Sequence, residues 1–425
     1  MVLKVKYITL VFLVLCILGP PQLKVEDRNT NTRELASQLA FESSFNLDFS
    51  NILRMVVWGI SGLIVLVYFS KNKKYYYDIL TSNPTKWYSI YGLFAIISSI
   101  YSPNTLYTLF FSFQILILIL LVGLIQKWMD WTKPLLLIFY AFIIQLFLII
   151  IFYFIDPNLV GREEWNYGYR LVGGIFGDYG AAAVISGIYF ITVCLHGKEY
   201  LSDARLKIYW ICYFITWIFL LLTFTRSSMI AAILVLFINI FIYKKFIHKA
   251  LFIYISFGVV IVSGVLGYFD NLILYFSRGQ SIDVIMTLSA RAGVFEFLFN
   301  RWLESPIVGY GYAAGSRWLL AEFVRDGIPL GSAHNAILKV LADLGIIGFI
   351  ILSMSYIITI KSLFKNRIFN NESKKLKLLY AQIVSLFIYV SISSVFGVGI
   401  AAGSSIYIVI IMTMVMVIKI KRLRI

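Results

Sequence analysis

The chain is poor in charge, cysteine and histidine. Of its 425 residues only 14% are charged, against 60% hydrophobic and 17% aromatic, where a soluble domain carries about a quarter charged residues. That shortage rules out a secreted enzyme, a nucleic-acid-binding module and a disordered scaffold, and makes the chain a polytopic membrane protein. The three cysteines, Cys16, Cys194 and Cys212, lie in or beside apolar runs with no CxxC pair and no His/Cys cluster. Neither a disulfide framework nor a zinc site is supported. No internal sequence repeat is evident. The net charge of +16 has to be read by side of the membrane, not as a signal for nucleic acid.

What the chain has in quantity is apolar runs. A bilayer-crossing helix needs about 20 mostly apolar residues, and twelve stretches qualify: 5–21, 52–70, 87–102, 105–126, 134–155, 172–194, 208–224, 227–243, 250–268, 337–360, 378–396 and 402–418. The first follows Lys4 and Lys6 and has no small-x-small cleavage site behind it, so it reads as a retained anchor. The expected fold class is therefore all-α: about twelve transmembrane helices and one long outer loop containing short amphipathic helices. Twelve spans put both termini on one side. With both termini cytoplasmic, the inner segments hold 24 Lys/Arg and 5 acids and the outer segments 13 and 16. The inner face is thus +19 and the outer face −3, as the positive-inside rule requires.

The two faces also differ in the kind of cation. The inner 24 are 20 Lys and 4 Arg; the outer 13 are 2 Lys and 11 Arg. Orientation needs only positive charge. Arginine adds a planar fork that grips phosphate or carboxylate through two parallel bonds. Snorkelling and pairing with outer acids is the plainer use of the same residue.

Three outer segments exceed a tight turn: 22–51, 156–171 and 269–336, the last too long for a structureless connection. Inside it, Ser289 is placed to cap a helix over 290–304 that puts Val294, Phe295, Leu298 and Trp302 on one face. A second short helix is expected over Arg317–Asp326, ended by Gly327. Such faces lie in a membrane interface or pack on the bundle. GYGYAAG at 309–315 follows no expected strand, so it is not a dinucleotide fingerprint. It reads as a turn, with a backbone phosphate nest as the weaker reading.

Only one of the three histidines faces out. His196 and His248 fall on the lysine-rich inner side, whereas His334 stands where the long loop meets the tenth span, in SAHNAILKVLADLGIIG. Gly345 and Gly348, three apart, are expected to let this helix approach a neighbour closely. A neutral imidazole at its outer mouth can take a proton from a hydroxyl near pH 7. Arg170 precedes the sixth span, Arg226 sits in the turn FTRSSM, and Arg291 opens the amphipathic helix. Three outward arginines at the bilayer boundary suggest a shared anionic ligand.

Four pieces together resemble the bacterial O-antigen ligase/polymerase superfamily. They are His334-Asn335-x9-Gly345-x2-Gly348; RAGVFEFLFNRWLESPIVGYG at 291–311, with its Arg followed by P-x-x-G-x-G; TRSS at 225–228; and RLVGGIFGD at 170–178. They span roughly 170–350 in the family's order. Asp178–Tyr179, where many relatives have Pro-Asn, and one extra residue between Gly173 and Phe176 depart from the pattern and leave the role of that turn open.

The resemblance implies an inverting glycosyltransferase that takes its donor from undecaprenyl pyrophosphate on the outer face of the cytoplasmic membrane, with no metal and no cofactor. It implies His334 as base or orienter of the acceptor hydroxyl. Arg291, Arg170 and Arg226 would stabilise charge on the leaving pyrophosphate. Asn335, Trp165 and Tyr169 would contact sugar, although ordinary interface aromatics look the same. The implied division is 1–170 for N-terminal spans, 171–360 for the ligase/polymerase-like core and 361–425 for C-terminal spans. Implied partners are the lipid-linked glycan, the growing polysaccharide, membrane lipids, and the flippase and chain-length regulator of one pathway; nucleic acid is not among them.

A polymerase and a ligase that moves the finished chain to lipid A-core or another acceptor share these motifs. The Lys-, Ile-, Asn- and Tyr-rich composition leans toward polymerase. A flippase or transporter would place ionisable residues at mid-membrane in repeated halves. A metal-dependent transferase would use Glu26–Asp27, which reads more simply as solvated loop charge.

Overall fold

The computed structural model describes residues 49–128, 134–157, 160–164, 168–171, 186–192, 206–223, 225–243, 292–325, 328–329, 333, 335–365, 374–395 and 410–418. Candidate spans 5–21 and 250–268, and the pair Glu26–Asp27, lie outside them. The described chain is nearly all helical. Its named helices are α1 Phe49–Lys71, α2 Lys73–Thr81, α3 Thr85–Ile97, α4 Thr105–Trp128, α5 Pro134–Ile155, α6 Leu206–Leu222, α7 Arg226–Tyr243, α8 Ala292–Glu304, α9 Ala314–Glu322, α10 Ala336–Lys365 and α11 Lys374–Val395. Two short antiparallel ladders add to the all-α expectation. β1 Gly161–Glu164 pairs with β2 Gly168–Leu171, and β3 Val324–Arg325 with β4 Ile328–Pro329. Both fall in segments read as outer loops.

Thr105–Trp128 and Ala336–Leu363 are long and apolar enough to cross a membrane, and Met55–Lys71 with Lys73–Thr81 counts as a third if that bent pair is one span. The α4 sequence runs from Thr105 to Lys127 without a charge, and its 24 residues reach about 36 Å at 1.5 Å per residue, the thickness of a bilayer core with some to spare. Between α1 and α2 the axis turns by 110°. The turn falls at Lys71-Asn72-Lys73-Lys74, where continuing into hydrocarbon would bury three ammonium groups.

α3 packs against both α4 and α10. Tyr88, Tyr91, Ile115, Ile119 and Leu344 are buried in the shared core. A second, smaller core joins α8 and α9 to the start of α10: Val294, Leu298, Leu319, Leu320 and Ala342 are buried together, with Phe297, Trp318 and Phe323 against them. Val294, Phe295 and Leu298 of the apolar face read from the sequence of α8 therefore pack on protein. α9 runs over Ala314–Glu322, not Arg317–Asp326. The chain past it turns into the β3–β4 ladder instead of continuing to Gly327.

Candidate functional site

α10 is broken. At Gly345 the backbone has φ 61° and ψ −163°, a combination essentially confined to glycine. A broken helix leaves open carbonyls on one side and open N–H groups on the other, and these are costly in a membrane unless protein satisfies them. Residues 306–311 satisfy them. Tyr310 N–H donates to Ala342 O (2.9 Å) and Gly311 N–H to Asp343 O (2.8 Å). Across the break, Ile346 N–H donates to Pro306 O (2.8 Å) and Ile347 N–H to Ile307 O (3.3 Å). The P-x-x-G-x-G segment and the glycine after His334-Asn335 are thus two halves of one joint. Their glycines are needed for approach: a Cβ on Gly345 would sit 2.3 Å from Ile307 O, and one on Gly309 2.7 Å from Ala342 O. This corrects the reading of Gly345 and Gly348 as a smooth helix–helix contact. Gly345 receives a loop backbone, and a Cβ on Gly348 would meet Leu344 of its own helix.

The joint is locked by a buried charge pair that the sequence reading missed. Lys339 and Asp343, with side chains 7% and 1% exposed, pair at 2.6 Å. Lys339 Nζ also donates to Ser316 Oγ at 2.8 Å. Asp343 Oδ1 accepts from Ser316 N–H (2.6 Å) and Oδ2 from Ala313 N–H (3.0 Å). A carboxylate from α10 therefore caps the first turn of α9 from outside that helix, where an anion complements the helix dipole. The backbone nest considered for GYGYAAG is filled by this carboxylate and by Ser98, whose Oγ accepts from Tyr312 N–H at 2.9 Å. The signal was there to read: two ionisable residues four apart in an otherwise apolar run.

The same segment is tied to the turn between α3 and α4 and to the first turn of α4. Tyr101 Oη donates to Val308 O (2.9 Å), and Thr108 Oγ1 to Tyr312 O (2.9 Å). Two segments that the charge pattern puts on the outer face are thus in contact.

Two arginines of the long loop have described side chains, and they differ. Arg301 is committed to acids: it pairs with Glu304 at 3.0 Å and with Glu322. The hydrogen bond that Arg301 donates to Glu304 raises its pKa further. Arg317, half-buried, lies over the Tyr107 ring with 5.7 Å to the centroid and donates from NH1 to Tyr107 Oη at 2.6 Å.

Of the expected site residues, Asn335 is the one whose side chain is described. Its Oδ1 accepts from Ile337 N–H (2.9 Å) and Leu338 N–H (3.1 Å), which makes it the N-cap of α10. Arg170 and Tyr169 lie in β2, opposite Arg162 and Glu163. Arg226 is the first residue of α7. The side chains of these three, and His334, Arg291 and Trp165 altogether, lie outside the described residues.

Residues 211–353 match the family described as O-antigen ligase. The match runs from α6 through the broken α10, takes in Arg226, Arg291, His334 and Asn335, and supports membership of the O-antigen ligase/polymerase superfamily. No curated protein matches the chain.

Proposed function

We propose, from the premise that this chain is a member of the O-antigen ligase/polymerase superfamily, that it polymerises undecaprenyl-pyrophosphate-linked repeat units into a surface polysaccharide on the outer face of the cytoplasmic membrane. The family match over 211–353 carries this reading. It supports reading the chain as an integral membrane protein of polysaccharide biosynthesis, a glycosyltransferase-type enzyme acting on lipid-linked glycan. The segment it covers begins α7 with Arg226 and begins α10 directly after His334 and Asn335.

In this mechanism a hydroxyl of the incoming repeat attacks the anomeric carbon of the growing chain. The C–O bond to pyrophosphate breaks as the new glycosidic bond forms on the opposite face. His334 takes the hydroxyl proton, and undecaprenyl pyrophosphate leaves with its charge held by guanidinium groups, Arg291 foremost with Arg170 and Arg226. Trp165 and Tyr169 bind sugar. Asn335 fixes the start of α10 and hence the place of His334. The division into 1–170, 171–360 and 361–425 belongs to the same proposal, as do a metal-free reaction and working partnership with a flippase and a chain-length regulator.

The family's description as O-antigen ligase favours a second reading, a ligase that transfers finished glycan to lipid A-core or another acceptor. Analysis of lipid-linked glycans after deletion separates the two. Single repeat units accumulate if the chain is the polymerase; long lipid-linked polymer accumulates if it is the ligase. An unchanged glycan profile contradicts both.

A further inference from the structure

Helix α8 has a second apolar stripe, and it is exposed. Val294 and Leu298 are buried in the small core shared with α9 and α10. Phe299 and Leu303, four apart and so on one face of the helix, are both exposed. Ile307, past the end of the helix, is exposed as well. Trp302 borders the stripe: its ring lies 5.4 Å from that of Phe299, and its indole N–H donates to Pro306 O at 3.1 Å. The exposed polar residues Glu296, Asn300 and Glu304 form a neighbouring stripe. Beyond them Arg301 lies over the Phe297 ring and pairs with Glu304 and with Glu322 of α9. The polar side of α8 thus leads to α9, and the exposed apolar side leads away from it.

That apolar side joins a larger surface of the same kind. Tyr101 Oη donates to Val308 O, which ties the chain just past Ile307 to the turn between α3 and α4. On either side of this turn Ile97, Ile100 and Leu106 are exposed. Leu106 stands in the first turn of α4, a helix long and apolar enough to cross a membrane. Exposed apolar residues on such a helix are its lipid-facing surface, and the α8 stripe continues it. A contiguous exposed apolar patch marks an interaction site, and a bordering tryptophan, apolar ring with a polar N–H, suits the level where hydrocarbon meets headgroups.

We propose that the Phe299–Leu303 stripe is a membrane-contact surface, seated in the acyl chains of the outer leaflet beneath the headgroups. Helix α8 is then held between the bundle on its Val294–Leu298 face and lipid on its Phe299–Leu303 face. The partner is the bilayer itself, not a particular headgroup. This surface goes beyond the proposed reaction and does not rest on it.

The test uses the full-length protein with Cys16, Cys194 and Cys212 replaced by serine, in nanodiscs of phosphatidylethanolamine and phosphatidylglycerol. One nitroxide label is placed at a time, through Phe299→Cys, Leu303→Cys or Asn300→Cys, with Phe113→Cys, an exposed position of α4, as the lipid reference. All four positions are exposed, so a label displaces no core side chain, and each labelled protein is required to elute as the same single species as its parent. The readout is collision of the nitroxide with oxygen, which concentrates in hydrocarbon, and with a water-soluble nickel chelate. Labels at 299 and 303 should collide severalfold more with oxygen than with the chelate, as at 113. A label at 300, turned by about 100° around the helix, should show the reverse. Chelate excess at 299 or 303 places the stripe in water. Low collision with both reagents there shows that protein covers it, either a second copy or another part of the chain. Oxygen excess at 300 as well shows a helix immersed on all its outer sides. Each of these three results overturns the proposal, and none of them depends on glycan transfer.

Discussion

Asp343 accepts from Lys339 and from two backbone N–H groups at once, so a neutral residue in its place strands a buried ammonium and opens the first turn of α9. Asp343→Leu should lower stability by about 3–5 kcal/mol, the usual result of breaking a buried pair from one side, measured as the unfolding midpoint in detergent. The double variant Lys339→Leu/Asp343→Leu should not recover wild-type stability, although it removes both charges. Ala313 and Ser316 would still have lost their acceptor. Full recovery would mean that Asp343 serves only the ion pair. Arginines divide on similar grounds. Arg291→Lys should lose most transfer activity, because a point charge cannot replace the bidentate grip, whereas Arg301→Lys should lose little, its partners being acids of the protein itself. Product length in membranes carrying each variant at equal abundance checks both. Sequence alone presented these arginines as one class. What separates Arg301 from the rest is Glu322, 21 residues away, and only the fold brings the two together.

The joint in α10 accounts for what was legible in the elements and what was not. The end of α8 at Glu304 was readable, because its pattern of Val294, Phe295 and Leu298 is local. The start of α9 was not, because its cap comes from Asp343 on another helix. Gly345 was noticed for the wrong reason. Its backbone conformation exists to receive residues 306–311, and no helical periodicity contains that information. Gly345→Ala should therefore abolish the folded protein, since the new methyl meets Ile307 O and the backbone cannot relax without dissolving both halves of the joint. Membrane abundance and elution as a single species in detergent measure this. Folded, abundant Gly345→Ala protein would show that the break is not required.

Across the whole molecule, counting alone sets the expected orientation: lysine inside and arginine outside, with a split of +19 against −3. Reporter fusions at Asn72, Asp130, Asp203 and Asn370 should report cytoplasm, and fusions near Glu34, Asn166 and Gly315 the outer face. The contacts of Tyr101 and Thr108 with 308–312 add that a cysteine at Asn104 should be labelled from the same side as one at Gly315. Opposite sides would contradict the charge reading and the structure together. The central claim is the chemistry at His334, which is tested best by function. His334→Ala, in cells otherwise lacking the protein, should reach wild-type membrane abundance, retain lipid-linked repeat units and make almost no polymer, a loss of about 10²–10⁴-fold in rate, while His196→Ala and His248→Ala make normal polymer. The measurement is glycan length by gel beside the abundance of each variant; polymer of normal length and amount from His334→Ala at normal abundance would contradict the account.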